Sequence, residues 1–345
     1  MKYHLRCNSC GAEYESSYAS QICEKCSGIL EVIYDGKLHF PSNAMSFWDY
    51  EGLMPSGSYK HFMLSPTPLV KESNQAYIKL ETVNPTHSFK DRGSVIEVAK
   101  ASEYGFNEIV CASTGNMAYS VAYYAKLFGI KAKIFVSEGV TRDKARYIRD
   151  THDANVTRVN GDFTEAQRHA INYSKRMKAF LTGDYCYRKE GQKTLGYELL
   201  GKGISNIIMP IGNATLFTAV YKAAKEALAS KFIKHLPALY GVEASGCAPI
   251  ANAIKANARI KYIKPNTKAD AIAVGFPTYG EQAIAIIKEK GGIFTVNDSE
   301  LAAMQKKFLY KYGITSELGG IAAYAAYSNN HFGATTAIVI TGANI

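Results

Sequence analysis

Four of the seven cysteines form two Cys-x-x-Cys pairs near the start of the chain. A glycine follows each pair, directly or after one residue, and lets the chain turn so that both thiolates face one point. Four thiolates are the ligand set of a structural zinc, and the metal would stabilise a segment too short to fold by burial alone. Free surface thiols are the alternative. We predict a structural Zn2+ site formed by Cys7, Cys10, Cys23 and Cys26.

One lysine, Lys90, lies where a turn-forming stretch over residues 84–89 passes into a helical pattern over 95–102. In the first turn of a helix, the positive end of the helix dipole disfavours an ammonium and favours the neutral amine that can attack an aldehyde. By itself this position is also typical of a solvated surface lysine. The surrounding residues must therefore decide its role.

Two further turns follow predicted buried strands and begin predicted helices. The first is Ser113-Thr114-Gly115-Asn116, whose small residues let backbone N–H groups approach a ligand closely. A turn of this kind at a helix start can also bind a phosphate, although most such turns are ordinary connections. The second turn, a candidate phosphate site, consists of Gly212, Asn213, Ala214, Thr215 and Leu216.

Strand, turn and helix alternate from about residue 75 to the end of the chain. Such alternation predicts an α/β fold with parallel sheets covered by helices on both faces and with ligands at the carboxyl ends of the strands. The predicted strands are 108–112, 134–136, 155–159, 206–211, 239–242 and 336–340, with another over 29–34 after the cysteines. The predicted helices are 116–128, 142–150, 163–177, 215–229, 298–312 and 319–328.

The motifs resemble, in order and in spacing, those of the threonine synthases, which are fold type II (tryptophan-synthase-β-like) pyridoxal-phosphate enzymes. The resemblance is carried by Pro-Thr-x-Ser-Phe-Lys-Asp-Arg-Gly around Lys90, by the Ser-x-Gly-Asn loop, by residues 188–194 and by Thr341-Gly342. It implies two doubly wound parallel-sheet domains and a small N-terminal zinc-ribbon-like unit. The implied boundaries are 1–35 for the ribbon, 36–98 with 179–345 for the large pyridoxal-phosphate-binding domain, and 99–178 for the small α/β domain.

The resemblance also implies a role for each matched residue. Lys90 carries pyridoxal 5'-phosphate, Asn116 bonds its phenolic oxygen, and Thr341 presents a hydroxyl to its pyridine nitrogen. The turn over 212–216 binds the cofactor phosphate. Arg188 pairs with a substrate phosphate through its planar guanidinium, whereas outside this context it would be interpreted as a surface arginine before a helix. The substrate carboxylate is assigned to Ser113, Thr114 and Gly115.

The implied reaction converts O-phospho-L-homoserine and water to L-threonine and phosphate, in a homodimer. Four residues depart from the family pattern and leave the substrate open: His87, Met117, Tyr185 and Ala343. Thr215 and Leu216 also depart from it and leave open which groups bind the cofactor phosphate. The alternatives are a related β-replacement or elimination enzyme, such as cysteate synthase or serine/threonine dehydratase, and a ribbon-bearing binding protein without catalysis. Retention of the lysine, asparagine and threonine that contact the cofactor in the family favours an enzyme.

Composition restricts the remaining possibilities. The 345 residues carry a formal net charge of +10, but lysine and arginine are scattered rather than concentrated in one tract. We therefore expect a small phosphorylated amino-acid substrate, which a positive field attracts, rather than a nucleic acid. No apolar run is long enough to span a bilayer and no signal-peptide core follows the first residues, so we expect no membrane partner and a cytoplasmic location.

Overall fold

The computed structural model describes residues 2–41, 43–55, 57, 64–113, 115–138, 146, 148–150, 152–161 and 163–343. Their strands are β1 (Tyr3–Cys7), β2 (Glu13–Glu15), β3 (Leu30–Tyr34), β4 (Leu69–Lys71), β5 (Ala76–Leu80), β6 (Glu108–Ala112), β7 (Lys131–Ser137), β8 (Asn155–Val159), β9 (Phe180–Thr182), β10 (Asn206–Pro210), β11 (Ala238–Ala244), β12 (Gly291–Val296) and β13 (Thr336–Ile340). Their helices are α1 (Lys90–Glu103), α2 (Asn116–Leu127), α3 (Phe163–Met177), α4 (Cys186–Leu200), α5 (Thr215–Ala229), α6 (Pro249–Ala256), α7 (Gly280–Lys290), α8 (Asp298–Tyr312) and α9 (Ala322–Ser328).

The chain divides into two compact units. Unit 1 comprises Met1–Pro41, Ser46–Leu64 and Lys90–Gly191, and unit 2 comprises the rest, with α4 beginning in unit 1 and continuing into unit 2. The domain boundaries inferred from the resemblance stay a prediction. The units themselves group residues 90–98 and 179–191 with the sheet formed by β6 to β9.

Unit 1 contains two sheets. The first is antiparallel in the order β2-β1-β3 and pairs Cys7 with Leu30, so that the first cysteine knuckle is hydrogen-bonded to the strand that follows the second. The other sheet is parallel in the order β8-β7-β6-β9. Apolar residues of α3 pack on it, because Ala166 and Ala170 lie one turn apart on the same face of the helix.

Unit 2 is built on a six-stranded sheet in the order β12-β11-β10-β13-β5-β4, in which only the edge strand β4 is antiparallel. Every residue of β10 and β13 is buried. Continuous apolar strands of this kind are typical of parallel sheets covered on both faces. On one face, α9 and Phe308 of α8 pack against Ile208 and Ile338.

The α/β fold with parallel sheets is confirmed. Predicted segments 108–112, 155–159 and 336–340 are strands with those bounds, and 163–177, 215–229 and 298–312 are helices with those bounds. The predicted helix over 142–150 lies largely outside the described residues. The elements that were not predicted are β1, β2, β4, β5, β9, β12, α4, α6 and α7. Of the helices described above, none is both long and apolar enough to cross a membrane.

Candidate active site

Three of the predicted site segments follow strands of unit 2 at the same edge of its sheet. The turn over 212–216 follows β10, Thr341 follows β13, and residues 81–89, which lead to Lys90, follow β5. β10, β13 and β5 are neighbours and run parallel, so their carboxyl ends meet at the same edge, where α/β proteins bind ligands.

The loop that leads to Lys90 is fastened to the turn that carries Thr341. Phe89 donates its N–H to the Thr341 carbonyl at 3.0 Å, and Ser88 forms a β-bridge with Gly342. The residue preceding the lysine is therefore bonded directly to the residue predicted to face the pyridine nitrogen. Thr341 itself is buried.

His87, one of the departures from the family pattern, belongs to the same loop. Its φ is +58°, in the left-handed region that favours glycine. Hydrogen bonds hold this conformation: the His87 N–H donates to the Asn84 carbonyl at 2.8 Å, and the Ala343 N–H donates to the His87 carbonyl at 2.9 Å. The loop thus holds a non-glycine residue in a left-handed turn, with its side chain exposed.

The turn over 212–216 is hydrogen-bonded to the segment over 278–279. The Asn213 carbonyl accepts the Tyr279 N–H at 3.0 Å, and Asn213 Oδ1 accepts the Thr278 N–H at 3.3 Å and its hydroxyl at 3.2 Å. Ala214 is the N-cap of α5 with a φ of +63°, and its side chain supplies no acceptor to the first turn. A helix start without a capping side chain is of the kind that binds a phosphate through backbone N–H groups.

In unit 1, the predicted substrate loop follows β6. Ser113 is buried and donates its N–H to the Phe135 carbonyl of β7 at 3.1 Å. Gly115 is the N-cap of α2, again without a side-chain cap, and Asn116 is the half-buried first residue of that helix. Thr114 lies outside the described residues. This is the second helix start without a side-chain cap, and it lies in the loop whose small residues were predicted to let a ligand approach closely.

Lys90 is the first residue of α1 and is half-buried. The helix is anchored directly after it, because Asp91 is fully buried and accepts the Ser120 hydroxyl of α2 at 2.6 Å. The prediction that the lysine lies in the first turn of a helix is confirmed. α1 begins five residues earlier than the helical pattern over 95–102 indicated, because the first turn consists of polar and small residues.

Arg188 is fully buried in the first turn of α4, so its interpretation as a surface arginine before a helix is wrong. Its Nε donates to the Gly183 carbonyl at 2.8 Å, its Nη2 to Ser94 Oγ at 3.1 Å and its Nη1 to the Lys90 carbonyl at 3.3 Å. Its Nη2 also lies 2.5 Å from Glu97 Oε2. The guanidinium therefore holds the start of α1, and its contact with a substrate phosphate stays a prediction.

Glu97 is a residue of this site that the sequence analysis missed. It is fully buried on α1, and its Oε1 accepts the Gly183 N–H at 2.9 Å. Burial raises the pKa of Glu97 to about 7, although the positive charge of Arg188 acts in the opposite direction. A signal was present in the sequence, since Glu97 interrupts the otherwise apolar run Val95-Ile96-Glu97-Val98-Ala99. A charge inside such a run needs a buried partner.

α1 and α4 approach each other very closely beside this ion pair. A Cβ added to Gly191 would lie 1.9 Å from the Arg92 carbonyl oxygen, and one added to Gly93 would lie 2.6 Å from Arg188 Cγ. Glycine at both positions is thus a steric requirement. The helix contact fixes the backbone on which the arginine is placed.

The four predicted metal ligands are brought together in unit 1. Their sulfur atoms all lie within 4.8 Å of one another, with Cys7 and Cys26 at 3.5 Å and Cys10 and Cys23 at 3.7 Å. A zinc ion with four sulfurs at about 2.3 Å in tetrahedral geometry sets adjacent sulfurs about 3.8 Å apart. The cluster therefore fits such an ion. Cys111, Cys186 and Cys247 are buried.

Comparison with known proteins agrees with this geometry. The family model for pyridoxal-phosphate dependent enzymes matches residues 60–342. The threonine synthase of Methanosarcina acetivorans is 35% identical to this chain over 94% of the chain and 85% of that protein, and the threonine synthase of Methanocaldococcus jannaschii is 31% identical over 90% and 84%. Among solved structures, maize serine racemase superposes with a TM-score of 0.70 at 22% identity, over 81% of this chain and 88% of that one, and so shares the fold. The chain belongs to the pyridoxal-phosphate-dependent enzymes of fold type II, and within them to the relatives of threonine synthase.

Proposed function

We propose that this protein is a pyridoxal-phosphate-dependent lyase of the threonine synthase type, which converts O-phospho-L-homoserine and water to L-threonine and phosphate. The similarity to curated threonine synthases over most of the chain supports this reaction. The structural observation that carries it is the common edge of β10, β13 and β5, where the turn over 212–216, Thr341 and the loop to Lys90 all emerge. An enzyme of this family needs its lysine, phosphate donors and ring contact on such strand ends.

The residues present fit pyridoxal 5'-phosphate. We assign its phosphate to the backbone N–H groups over 212–216, its phenolic oxygen to Asn116 and its ring nitrogen to Thr341. The two helix starts without a side-chain cap support the assignment, because the start of a helix favours an anion through its backbone N–H groups and its dipole. When bound, the cofactor supplies an aldehyde for the amine and a ring that withdraws electrons from the neighbouring carbons.

Lys90 is proposed to hold the cofactor and then to move protons at the α and β carbons of the substrate. The start of α1 favours its neutral amine, since the positive end of the helix dipole lies beside it. The Thr341 hydroxyl, unlike a carboxylate, need not fix a proton on the ring nitrogen. Arg188 is proposed to orient the leaving phosphate on the γ carbon and to stabilise its charge, while water adds at the β carbon.

The cofactor assignment is tested by reconstitution. Protein supplied with pyridoxal 5'-phosphate should show a visible absorbance band that borohydride removes, with the reduced label found on Lys90 by peptide mass spectrometry. Lys90→Ala should lose the band and should lower the turnover of phosphate release by at least about 10^2- to 10^4-fold, the usual contribution of a general acid–base group. A protein that stays colourless and unlabelled would overturn the proposal.

The substrate assignment is tested by phosphate release from O-phospho-L-homoserine and from O-phospho-L-serine, with identification of the amino-acid product. We expect threonine from the first compound and a much lower kcat/KM for the second. Met117 and Tyr185, both buried, replace residues usual in threonine synthases. Preference for phosphoserine would therefore assign the protein to a related β-replacement or elimination reaction.

We propose that Cys7, Cys10, Cys23 and Cys26 hold a structural Zn2+. The support is the convergence of their sulfurs at distances that suit a tetrahedral ion. All four positions are filled by protein ligands, so the metal would stabilise the fold and leave no open position for substrate. Elemental analysis should give one zinc per chain, and Cys10→Ser should lose it.

The homodimer, the absence of nucleic-acid and membrane partners, the cytoplasmic location and the domain boundaries stay predictions. Light scattering on the eluting protein would measure its mass and so decide the dimer. The grouping of α1 with the sheet of β6 to β9 bears on the boundaries, and limited proteolysis with mapping of the cut sites would test them.

A further inference from the structure

The segment of α4 that carries Arg188 is held from several sides by residues of the N-terminal ribbon. We call residues 186–190 the arginine segment. Among the described residues, side chains of the ribbon bond to this segment at positions next to Arg188 or one step further away. They include Gln21, Glu31 and Tyr34.

Gln21 lies two residues before Cys23 and is almost fully buried, with 3% of its surface exposed. Its Oε1 accepts the Tyr187 N–H at 3.0 Å, and its Nε2 donates to the Leu181 carbonyl of β9 at 2.8 Å. It therefore caps the first turn of α4 from outside the helix and ties that turn to the preceding strand.

Glu31 and Tyr34 lie on β3 and contact the other side of the segment. Glu31 forms a buried ion pair with Lys189, and the Tyr34 hydroxyl donates to Glu190. Lys189 has 4% of its surface exposed, and Glu190 is fully buried. Buried charged groups are costly unless they are paired, so these contacts hold the backbone beside Arg188 in one register.

The three ribbon residues are in turn connected to the cysteine knuckles. Glu31 and Tyr34 lie on β3, which pairs with β1, and β1 ends at Cys7. Asn8, between Cys7 and Cys10, donates its Nδ2 to Glu31 Oε1 at 3.2 Å. The Gln21 carbonyl accepts the Leu30 N–H at 3.1 Å. A change in the arrangement of the four sulfurs must therefore displace the residues that hold the arginine segment.

We infer that the four-cysteine ribbon is a positioning device for Arg188, in which the metal holds Gln21, Glu31 and Tyr34 and these three hold the arginine segment. Its consequence for catalysis rests on the proposed function, because it requires that Arg188 act on a phosphorylated substrate. The claim that the ribbon holds the arginine segment in place does not depend on the proposed function. Gln21, Glu31 and Tyr34 contact the arginine segment, so we expect them to act through the position of Arg188.

The decisive experiment is amide hydrogen exchange on the full-length protein, read by mass spectrometry over the arginine segment. We compare zinc-loaded protein with protein stripped by a chelator under reducing conditions, and then Gln21→Ala and Glu31→Gln with metal content checked. Exchange at residues 186–190 should rise in all three cases. The matched control is Glu15→Gln, which removes an exposed ribbon carboxylate and should leave both exchange and activity unchanged.

The kinetic arm separates positioning from general structural support. Loss of one charge-assisted contact should raise the KM for O-phospho-L-homoserine about tenfold, with kcat within about twofold and the cofactor absorbance unchanged. Unchanged exchange at the arginine segment after metal release would overturn the inference, and so would raised exchange with an unchanged KM. If the protein releases no phosphate from this substrate, the proposed function fails while the exchange experiment still decides the inference. Where Glu31→Gln does not fold, Tyr34→Phe removes a neighbouring contact without a charge change.

Discussion

Removal of the Glu97 carboxylate should destabilise unit 1 severely. Glu97 and Arg188 both have fully buried side chains, and Oε2 lies 2.5 Å from Nη2. Glu97→Ala would leave a buried guanidinium without its counter-charge and the Gly183 N–H without its acceptor. Breaking a buried ion pair from one side costs about 3–5 kcal/mol, a large part of the roughly 5–15 kcal/mol that stabilises a typical domain.

Two further variants show whether burial is the cause. Glu97→Gln keeps an acceptor for the Gly183 N–H and should lose only about 1–2 kcal/mol. Glu165→Ala breaks the ion pair with Arg168, in which the side chains are 42% and 61% exposed, and should cost less than about 1 kcal/mol. The same interaction chemistry should therefore differ severalfold in its effect on stability, according to its access to water.

The assay is equilibrium unfolding in urea, followed by the fluorescence of the single tryptophan. Trp48 is buried in unit 1, the unit that contains Glu97, and so reports its unfolding. With a slope of about 2–3 kcal/mol per M urea, Glu97→Ala should lower the midpoint by about 1–2 M. The reasoning is refuted if Glu97→Ala lowers the midpoint no more than Glu165→Ala does.

Three other predictions follow from the same structure. Burial raises the pKa of Glu97 in the folded protein from 4.5 to about 7, so its stabilising contribution is complete below about pH 4.5 and is lost as the pH rises to about 7. Between these pH values, the free energy of unfolding of the wild-type protein should fall by up to about 3 kcal/mol more than that of Glu97→Gln. Urea titrations at a series of pH values measure this difference. Gly191→Ala should lower the free energy of unfolding by about 1–3 kcal/mol or more, because its Cβ would lie 1.9 Å from the Arg92 carbonyl oxygen. In the control Gly201→Ala the nearest atom would be 3.6 Å from the new Cβ, and the free energy of unfolding should change by less than about 0.5 kcal/mol. Equal urea midpoints for the two variants would contradict this prediction. His87→Gly should keep the thermal unfolding midpoint or raise it slightly, because glycine readily adopts a φ of +58°. His87→Val should lower the midpoint, because a β-branched residue disfavours this φ. An unchanged midpoint for His87→Val would show that the turn does not need this conformation.

Local sequence signals predicted the fold well where a strand is continuous and apolar or a helix is strongly periodic. The strands over 108–112 and 336–340 and the helix over 298–312 are of this type, and the last is also marked by a capping box between Asn297 and Glu300. The same signals predicted that Lys90 begins a helix and that four cysteines converge. In each case the information lies within a few neighbouring residues.

The parts that escaped prediction depend on contacts distant in sequence. α4 has polar and charged residues over much of its length, yet Arg188, Glu190 and Lys193 are buried in it. Their partners lie on α1, β3 and α5, far away in the chain, so no local pattern marks the helix. For the same reason Gln21 became recognisable only once the fold brought it to the arginine, whereas the apolar run around Glu97 indicated that it needs a buried partner but did not identify Arg188.

The left-handed conformation of Ala214 has a consequence for how the cofactor binds. A non-glycine residue held at φ +63° stores about 1 kcal/mol or more, and bonds within the protein, from Thr278 and Tyr279 to Asn213, maintain this conformation. The donors of this turn are then preorganised, so an arriving anion has little loop ordering to impose and the entropic penalty of association is small. Ala214→Gly would remove the strain of the turn and also its preorganisation. The variant should therefore gain thermal stability but bind pyridoxal 5'-phosphate more weakly. In calorimetry, the lower affinity should appear mainly as a less favourable binding entropy.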